Sequence, residues 1–289
     1  MKIKDERIDK GKEFDWGRVS KDYAKYRDIY PEEFYKKIVD LGLCIKGQKV
    51  LDLGTGTGVL PRNMYKFGAK FVGTDISENQ IFYAKNLANF NNMDIEFKVS
   101  SAEGISFKDN YFDVITACQC FFYFNYKIVM PKLKKVLKPD GRIVILYMAW
   151  LPFEDEIAKA SEELILKHNP KWSGARETRH KIIIPKEADE LFEVEYSEIY
   201  DLKVPFTKES WHGRVKACRG IGASLSKEEI EKWEKEHKKL LDKIAPDEFD
   251  ILHYSAITVM KPKIWYGGFS KWIMVIERKK LIIYYMILA

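Results

Sequence analysis

Val50-Leu51-Asp52-Leu53-Gly54-Thr55-Gly56-Thr57-Gly58 decides the fold. An apolar run ends in an acid, and three glycines then fall at every second position. The run reads as a buried strand. The glycines read as a turn lying against a ligand, because glycine accepts φ > 0 and lets a backbone approach closely. Roughly twenty residues on, Phe71-Val72-Gly73-Thr74-Asp75 is a second apolar run ending in an acid. Strand, Gly-rich loop, helix, strand and acid make the dinucleotide-type half of a doubly wound α/β domain.

Working outward, strands are expected at 49–53, 70–75, 95–99, 112–117 and 142–147, with helices at 58–67, 77–90 and 126–137 between them. Gly68 closes the first of these helices, Ser77 caps the second, and Pro139-Asp140-Gly141 signals a turn. The strands are continuous apolar segments, as in a parallel sheet covered on both faces. Beyond them, a helix is expected at 156–168, an antiparallel strand at 192–204, helices through 205–249, and a last strand at 251–260. Ahead of the domain, residues 14–40 are rich in aromatics, and Pro31 starts a helix.

The acid-x-Gly-x-Gly-x-Gly spacing, with Asp75 ending the next strand, resembles the first motif of class I S-adenosylmethionine (SAM)-dependent methyltransferases, of the kind that act on small molecules. A nicotinamide or flavin fingerprint would place its third glycine one residue later, where Val59 stands. The resemblance implies an α/β Rossmann-like doubly wound sheet of seven strands, mostly parallel, ending in an antiparallel hairpin. It implies a helical lid over residues 1–45 and a SAM-binding domain over 46–262, with 205–249 inserted in the hairpin to shape the acceptor pocket. It also implies a loop (Gly54, Thr55, Gly56, Gly58) wrapped around the methionine end of SAM, and Asp75 on the ribose hydroxyls. Asp52 sits below the loop, either near the ammonium or as a strand-end acid holding loop amides. Ile76 and Ser101-Ala102-Glu103 would bracket the adenine; an Asp is common where Ser101 stands, which leaves Ser101 or Glu103 as the acceptor for its amine.

Cys118 and Gln119 would approach the sulfonium from the end of the fourth strand. Phe121 and Phe122 read as core or as acceptor pocket, and Tyr123 as a candidate catalytic group. Phe14-Asp15-Trp16 and the stretch from Tyr23 to Pro31 resemble the lid, with Tyr23 closing over the methionine end and Arg27 on its carboxylate; an aromatic helix packed on the sheet fits the same residues. Between the glycines of 209–223, His212 is a candidate general base, Trp211 a pocket wall, and Arg214 or Arg219 a holder of an anionic acceptor. Methyl transfer is an in-line displacement at an activated carbon, so alignment and water exclusion matter more than an acid–base dyad.

Composition narrows the partners. The chain has 289 residues, 46% hydrophobic and 32% charged, and a formal net charge of +6. From Lys261 onward stand six basic residues and one acid, so the body is close to neutral. A near-neutral body argues against nucleic acid. Cys118-x-Cys120 lacks the further ligands of a metal site. The opening residues lack the apolar core of a signal peptide and no stretch is long enough to span a bilayer, so a cytoplasmic protein with four reduced cysteines is expected. The tail, 264–289, lies outside the resemblance, and four readings stay open for it: three roles, to cover the sheet, to mediate homo-oligomer formation or to touch a membrane surface, and a non-native extension. Two rival functions stay open at this level: a SAM- or nucleotide-binding regulator without catalysis, and an NAD-dependent oxidoreductase.

Overall fold

A computed structural model describes residues 2–263 of the chain; the tail for which three roles stood open lies outside the described residues. In chain order the elements are α1 (Ser20–Tyr26), α2 (Glu32–Asp40), β1 (Lys49–Leu53), α3 (Val59–Met64), β2 (Lys70–Asp75), α4 (Glu78–Phe90), β3 (Glu96–Val99) and β4 (Phe112–Cys118). They continue as α5 (Tyr126–Val136), β5 (Leu137–Trp150), α6 (Glu156–His168), α7 (Lys186–Asp189), β6 (Phe192–Thr207), α8 (Lys208–Lys216), α9 (Lys227–Ile244) and β7 (Glu248–Pro262). The seven strands form one sheet in the order β3-β2-β1-β4-β5-β7-β6. The first five are parallel, and β7 runs antiparallel between β5 and β6. This is the expected doubly wound sheet with its antiparallel end.

Local chemistry sets the boundaries. Val50, Leu51 and Leu53 are buried because helices cover both faces of the sheet. The Ser77 hydroxyl accepts from the Gln80 amide at the start of α4, and Asp155 accepts from Ala158 at the start of α6. Capping boxes Thr207/Ser210 and Ser226/Glu229 open α8 and α9. α2 buries Phe34, Tyr35 and Ile38 in the main core, where an apolar side chain contributes about 1.5–3 kcal/mol.

Two expectations are corrected. Pro139-Asp140-Gly141 does not end a helix–strand connection; β5 already begins at Leu137, which pairs with Phe112, and the register then jumps so that Arg142 faces Val114. The turn residues are an outward bulge, which relieves the ladder of a proline that cannot donate. Helix was also expected from 205, yet β6 continues through Pro205 to Thr207. The sheet order makes β6 the edge strand, where proline is tolerated. Among the described residues no helix is long and apolar enough to cross a membrane.

The N-terminal segment packs tightly on the hairpin helices. At Gly213 a Cβ would lie 2.3 Å from the Tyr26 ring, so only glycine admits this contact between α1 and α8. Ile3 and Phe14 pair backbone to backbone, and Asp15 donates its amide to the Ala223 carbonyl at 2.9 Å. This strap crosses the carboxyl ends of the parallel strands, where sheets of this class bind ligands.

Candidate active site

Gly54, Gly56 and Gly58 all have positive φ (58°, 58° and 74°). At Gly54 a Cβ would lie 2.7 Å from Cys120 Cβ, so the loop is pressed against the turn after β4. Gly54 and Gly56 line a cavity of about 510 Å³. Thr55 and Gly58 do not line it. The Thr55 amide donates to the Thr74 carbonyl at 2.8 Å and the Gly58 amide to the Thr55 carbonyl at 2.9 Å, which braces the loop from behind. Asp52 also lies outside the lining. It is buried on β1 beside its ladder partner Thr116, whose hydroxyl donates to Oδ1 at 2.6 Å.

Burial pushes the Asp52 carboxyl up to about 7, against the pull of its hydroxyl donors. Because the folded-state value is raised, the folded state holds its proton more tightly than the unfolded chain. The stability this gives is present below the unfolded value near 3.8 and is lost as pH rises through about 7. Denaturant melts should therefore show the wild type losing stability relative to Asp52→Asn between pH 4 and 7; parallel curves would remove the buried charge from the account.

At the end of β2, each Asp75 oxygen accepts one backbone amide, from Gly56 and from Ser77, both at 2.9 Å. Each keeps a lone pair for a ligand hydroxyl. Burial raises its pKa, partly countered by those amides. Ile76, Ser101, Ala102 and Glu103 line the same end of the cavity. The Ser101 hydroxyl already accepts from the Gly104 amide at 3.0 Å, whereas one Glu103 oxygen accepts from the Asn125 amide at 2.8 Å and the other has no such partner. Both keep an acceptor lone pair, but only Glu103 has a whole oxygen without a protein donor.

Cys118 and Gln119 line the middle. Gln119 sits at φ 64° without being glycine, a strained backbone fixed by its amide bond to Leu146 and its side-chain bond to the Met148 carbonyl. The Cys118 thiol is pushed up to about 12 by burial and stands 3.5 Å from the Tyr30 hydroxyl, so it is a neutral wall group. Tyr23 lies beside Gly56, with the Arg27 guanidinium 4.8 Å from its ring centroid, and both line the cavity. The far end is aromatic: Phe122, Tyr147, Trp150 and Trp172. Phe121 is core, buried with Val129 and Leu133. Tyr123 lines the cavity; its oxygen accepts from Arg219 at 2.7 Å and burial raises its pKa. Such a phenol can donate its proton to a hydrogen bond but is a poor base.

α8 divides the remaining candidates. Arg214 reaches the cavity, and His212, two residues away and so on the opposite side of the helix, does not. His212 Nδ1 bonds His237 Nδ1 at 2.9 Å, its ring stacks on Trp233, and burial lowers its pKa. A base must reach the proton it removes, and this His faces α9 instead. Trp211 is also outside the lining. It is fully buried behind Trp150, with its indole N–H on the Ser161 hydroxyl at 2.9 Å. Arg219 lines the cavity but is held by the buried Asp9 carboxylate at 2.8 Å.

Sequence reasoning missed Glu177, Tyr147 and the strap residues Ile3 and Ile8, all of which line the cavity. The Glu177 carboxylate accepts from Tyr147 at 3.1 Å and Tyr254 at 2.7 Å and meets His180 Nε2 at 2.7 Å. No periodic signal marks it, because it sits in the irregular stretch after α6. Among the described residues, no group of three or more His, Cys, Asp or Glu gathers to hold a metal.

The residues at the loop end suit SAM on chemical grounds. Two positive-φ glycines lining the cavity, a carboxylate with two free lone pairs for a diol, and an arginine with no carboxylate bonded to it suit its amino-acid end and its ribose. Residues 45–202 match the family model described as a methyltransferase domain. Among curated relatives, a Bradyrhizobium diazoefficiens ubiquinone biosynthesis O-methyltransferase is 28% identical over 164 residues, 56% of this chain and 62% of the relative. A Thermus thermophilus demethylmenaquinone methyltransferase is 32% identical over 114 residues, 38% of this chain and 52% of the relative. The chain thus spans about half to three-fifths of the length of these relatives. A Haemonchus contortus phosphoethanolamine N-methyltransferase, solved with phosphomonomethylethanolamine and S-adenosylhomocysteine, shares the fold at TM-score 0.50 and 18% identity, over 85% of this chain and 58% of that one. The chain belongs to the SAM-dependent methyltransferases.

Proposed function

We propose that the protein moves the methyl group of SAM to a small-molecule acceptor seated at the aromatic end of the cavity. The observation that carries this is continuity: one cavity is lined by Gly54, Gly56 and Asp75 at one end and by Tyr147, Trp150 and Trp172 at the other. When bound, SAM supplies an electrophilic methyl on a sulfonium. The chain's own residues do the rest. Asp75 holds the ribose, Arg27 and Tyr23 the amino-acid end, and Ile76 with Ser101, Ala102 and Glu103 the adenine. Cys118 and Gln119 wall the centre, and Phe122 faces the acceptor.

The strap contributes Ile3 and Ile8 as apolar wall to the cavity, which suits a displacement driven by alignment rather than by acid–base groups. The free thiols of Cys44, Cys118, Cys120 and Cys218 fit work in the reducing cytoplasm. Calorimetry should show SAM and S-adenosylhomocysteine binding with NAD silent. Labelled SAM incubated with a fractionated metabolite pool should then pass its methyl to a low-mass product. Tight SAM binding with no labelled product from any fraction would replace this reading with a binding protein that lacks catalysis.

A further inference from the structure

Arg214 is 5% exposed, yet its Nε and Nη1 make no hydrogen bond. The charged and titratable groups that bear on it are Arg27, Cys218, Tyr30, Tyr23 and the buried His253, with no carboxylate among them. Its guanidinium lies 5.0 Å from the Trp150 ring centroid. That indole is itself fixed, its N–H donating to Glu162 at 3.0 Å. Both Arg214 and Trp150 line the cavity.

Burying an unpaired cation beside a second one is costly, and proteins normally pair such groups. The cost shows in the lowered pKa of Arg214, pulled down to about 9 by burial and then by Arg27. Most other charges at the cavity wall already have partners: Arg219 has Asp9, Glu177 has two tyrosines and a histidine, Glu103 has the Asn125 amide, Asp75 has two amides and Asp5 has Arg7, while Lys2 and Lys4 are exposed to solvent. Among the described lining residues, two cations withdrawn from open solvent and without a carboxylate therefore remain, Arg27 and Arg214, whereas SAM brings a single carboxylate.

Resting on the methyltransferase reading above, we infer that Arg214 is the anchor of a carboxylate-bearing acceptor whose flat apolar body lies against Trp150 and Trp172. Arginine suits this task because its planar fork meets a carboxylate with two parallel bonds. The fixed indole beneath orients the fork in advance, so little rotamer freedom is lost on binding. Arg219, tied to a buried acid, is excluded from the role that sequence alone left open to either arginine.

The test uses the full chain saturated with S-adenosylhomocysteine and titrated with benzoate or its neutral counterpart benzamide. Wild type should bind benzoate more tightly than benzamide. Arg214→Gln and Arg214→Met should each weaken benzoate by about tenfold or more while leaving benzamide unchanged. Both should bind S-adenosylhomocysteine as wild type does, whereas Arg27→Gln should weaken that binding. Arg214→Met, which keeps the stem and removes an unpaired charge, should melt at or above the wild-type temperature, an outcome a structural role would reverse. Unchanged benzoate affinity in both variants, or no preference for benzoate in the wild type, overturns the proposal. A loss of S-adenosylhomocysteine affinity equal to that of Arg27→Gln overturns it too, by giving Arg214 to the methionine carboxylate. Failure of wild type to bind S-adenosylhomocysteine at all sinks the methyltransferase reading itself, which the other outcomes leave standing.

Discussion

Asp75→Ala should weaken S-adenosylhomocysteine binding by about a hundredfold or more, read by calorimetry. The carboxylate has two tasks. Toward the protein it accepts the Gly56 and Ser77 amides, which fixes the second glycine of the loop relative to β2. Toward the ligand it offers one remaining lone pair on each oxygen. Charge-assisted bonds contribute about 1.5–3 kcal/mol each, so losing two costs at least about 3 kcal/mol, or two decades. Asp75→Asn keeps one acceptor oxygen and should fall between. Because burial raises the Asp75 pKa, acidification should release the ligand at a higher pH than an exposed aspartate would allow. Alanine binding as tightly as wild type would remove the ribose from this site.

Arg219→Ala should destabilise the fold by about 3–5 kcal/mol in urea melts, the range for breaking a buried ion pair from one side. Asp9 is 0% exposed, with its oxygens bonded to Arg219 Nε at 2.8 Å, Arg219 Nη2 at 3.1 Å and the Ser173 amide at 2.7 Å. Removing the guanidinium leaves that carboxylate buried without a counter-charge. Asp9→Asn combined with Arg219→Met should recover part of the loss, because neither orphan then remains. The exposed Lys36–Asp40 pair provides the contrast, with Lys36→Ala costing under about 1 kcal/mol. A comparably small loss for Arg219→Ala would mean that the strap is not held by this pair.

How far the chain could be read in advance follows from the range of the interactions. β1, the glycine loop and β2 were expected where they stand because strand burial, positive φ and a terminal acid are settled within a few neighbours. Helix starts at Ser77 and Asp155 are equally local, since the capping oxygen lies three residues from the amide it satisfies. The bulge at 138–141 was less legible, because a Pro-Asp-Gly signal says that the chain deviates without saying whether it reverses. The edge position of β6, which permits Pro205, belongs to the whole sheet.

The candidate site divides along the same line. Asp75, Gly54 and Gly56 carry a spacing, and a spacing survives without a structure. Arg214, Arg219 and His212 stand within eight residues of one another and are chemically alike in being able to meet an anion. Sequence alone determined that this chain makes a sheet with a glycine-rich turn after β1 and an acid ending β2, and its spacing resembles that of SAM-dependent enzymes. Only the tertiary structure decided that α8 turns Arg214 to the cavity and His212 to α9, and that Asp9 neutralises an arginine 210 residues away. Backbone preference is a property of neighbouring residues, whereas the pairing or isolation of a buried charge depends on which distant segments close over it.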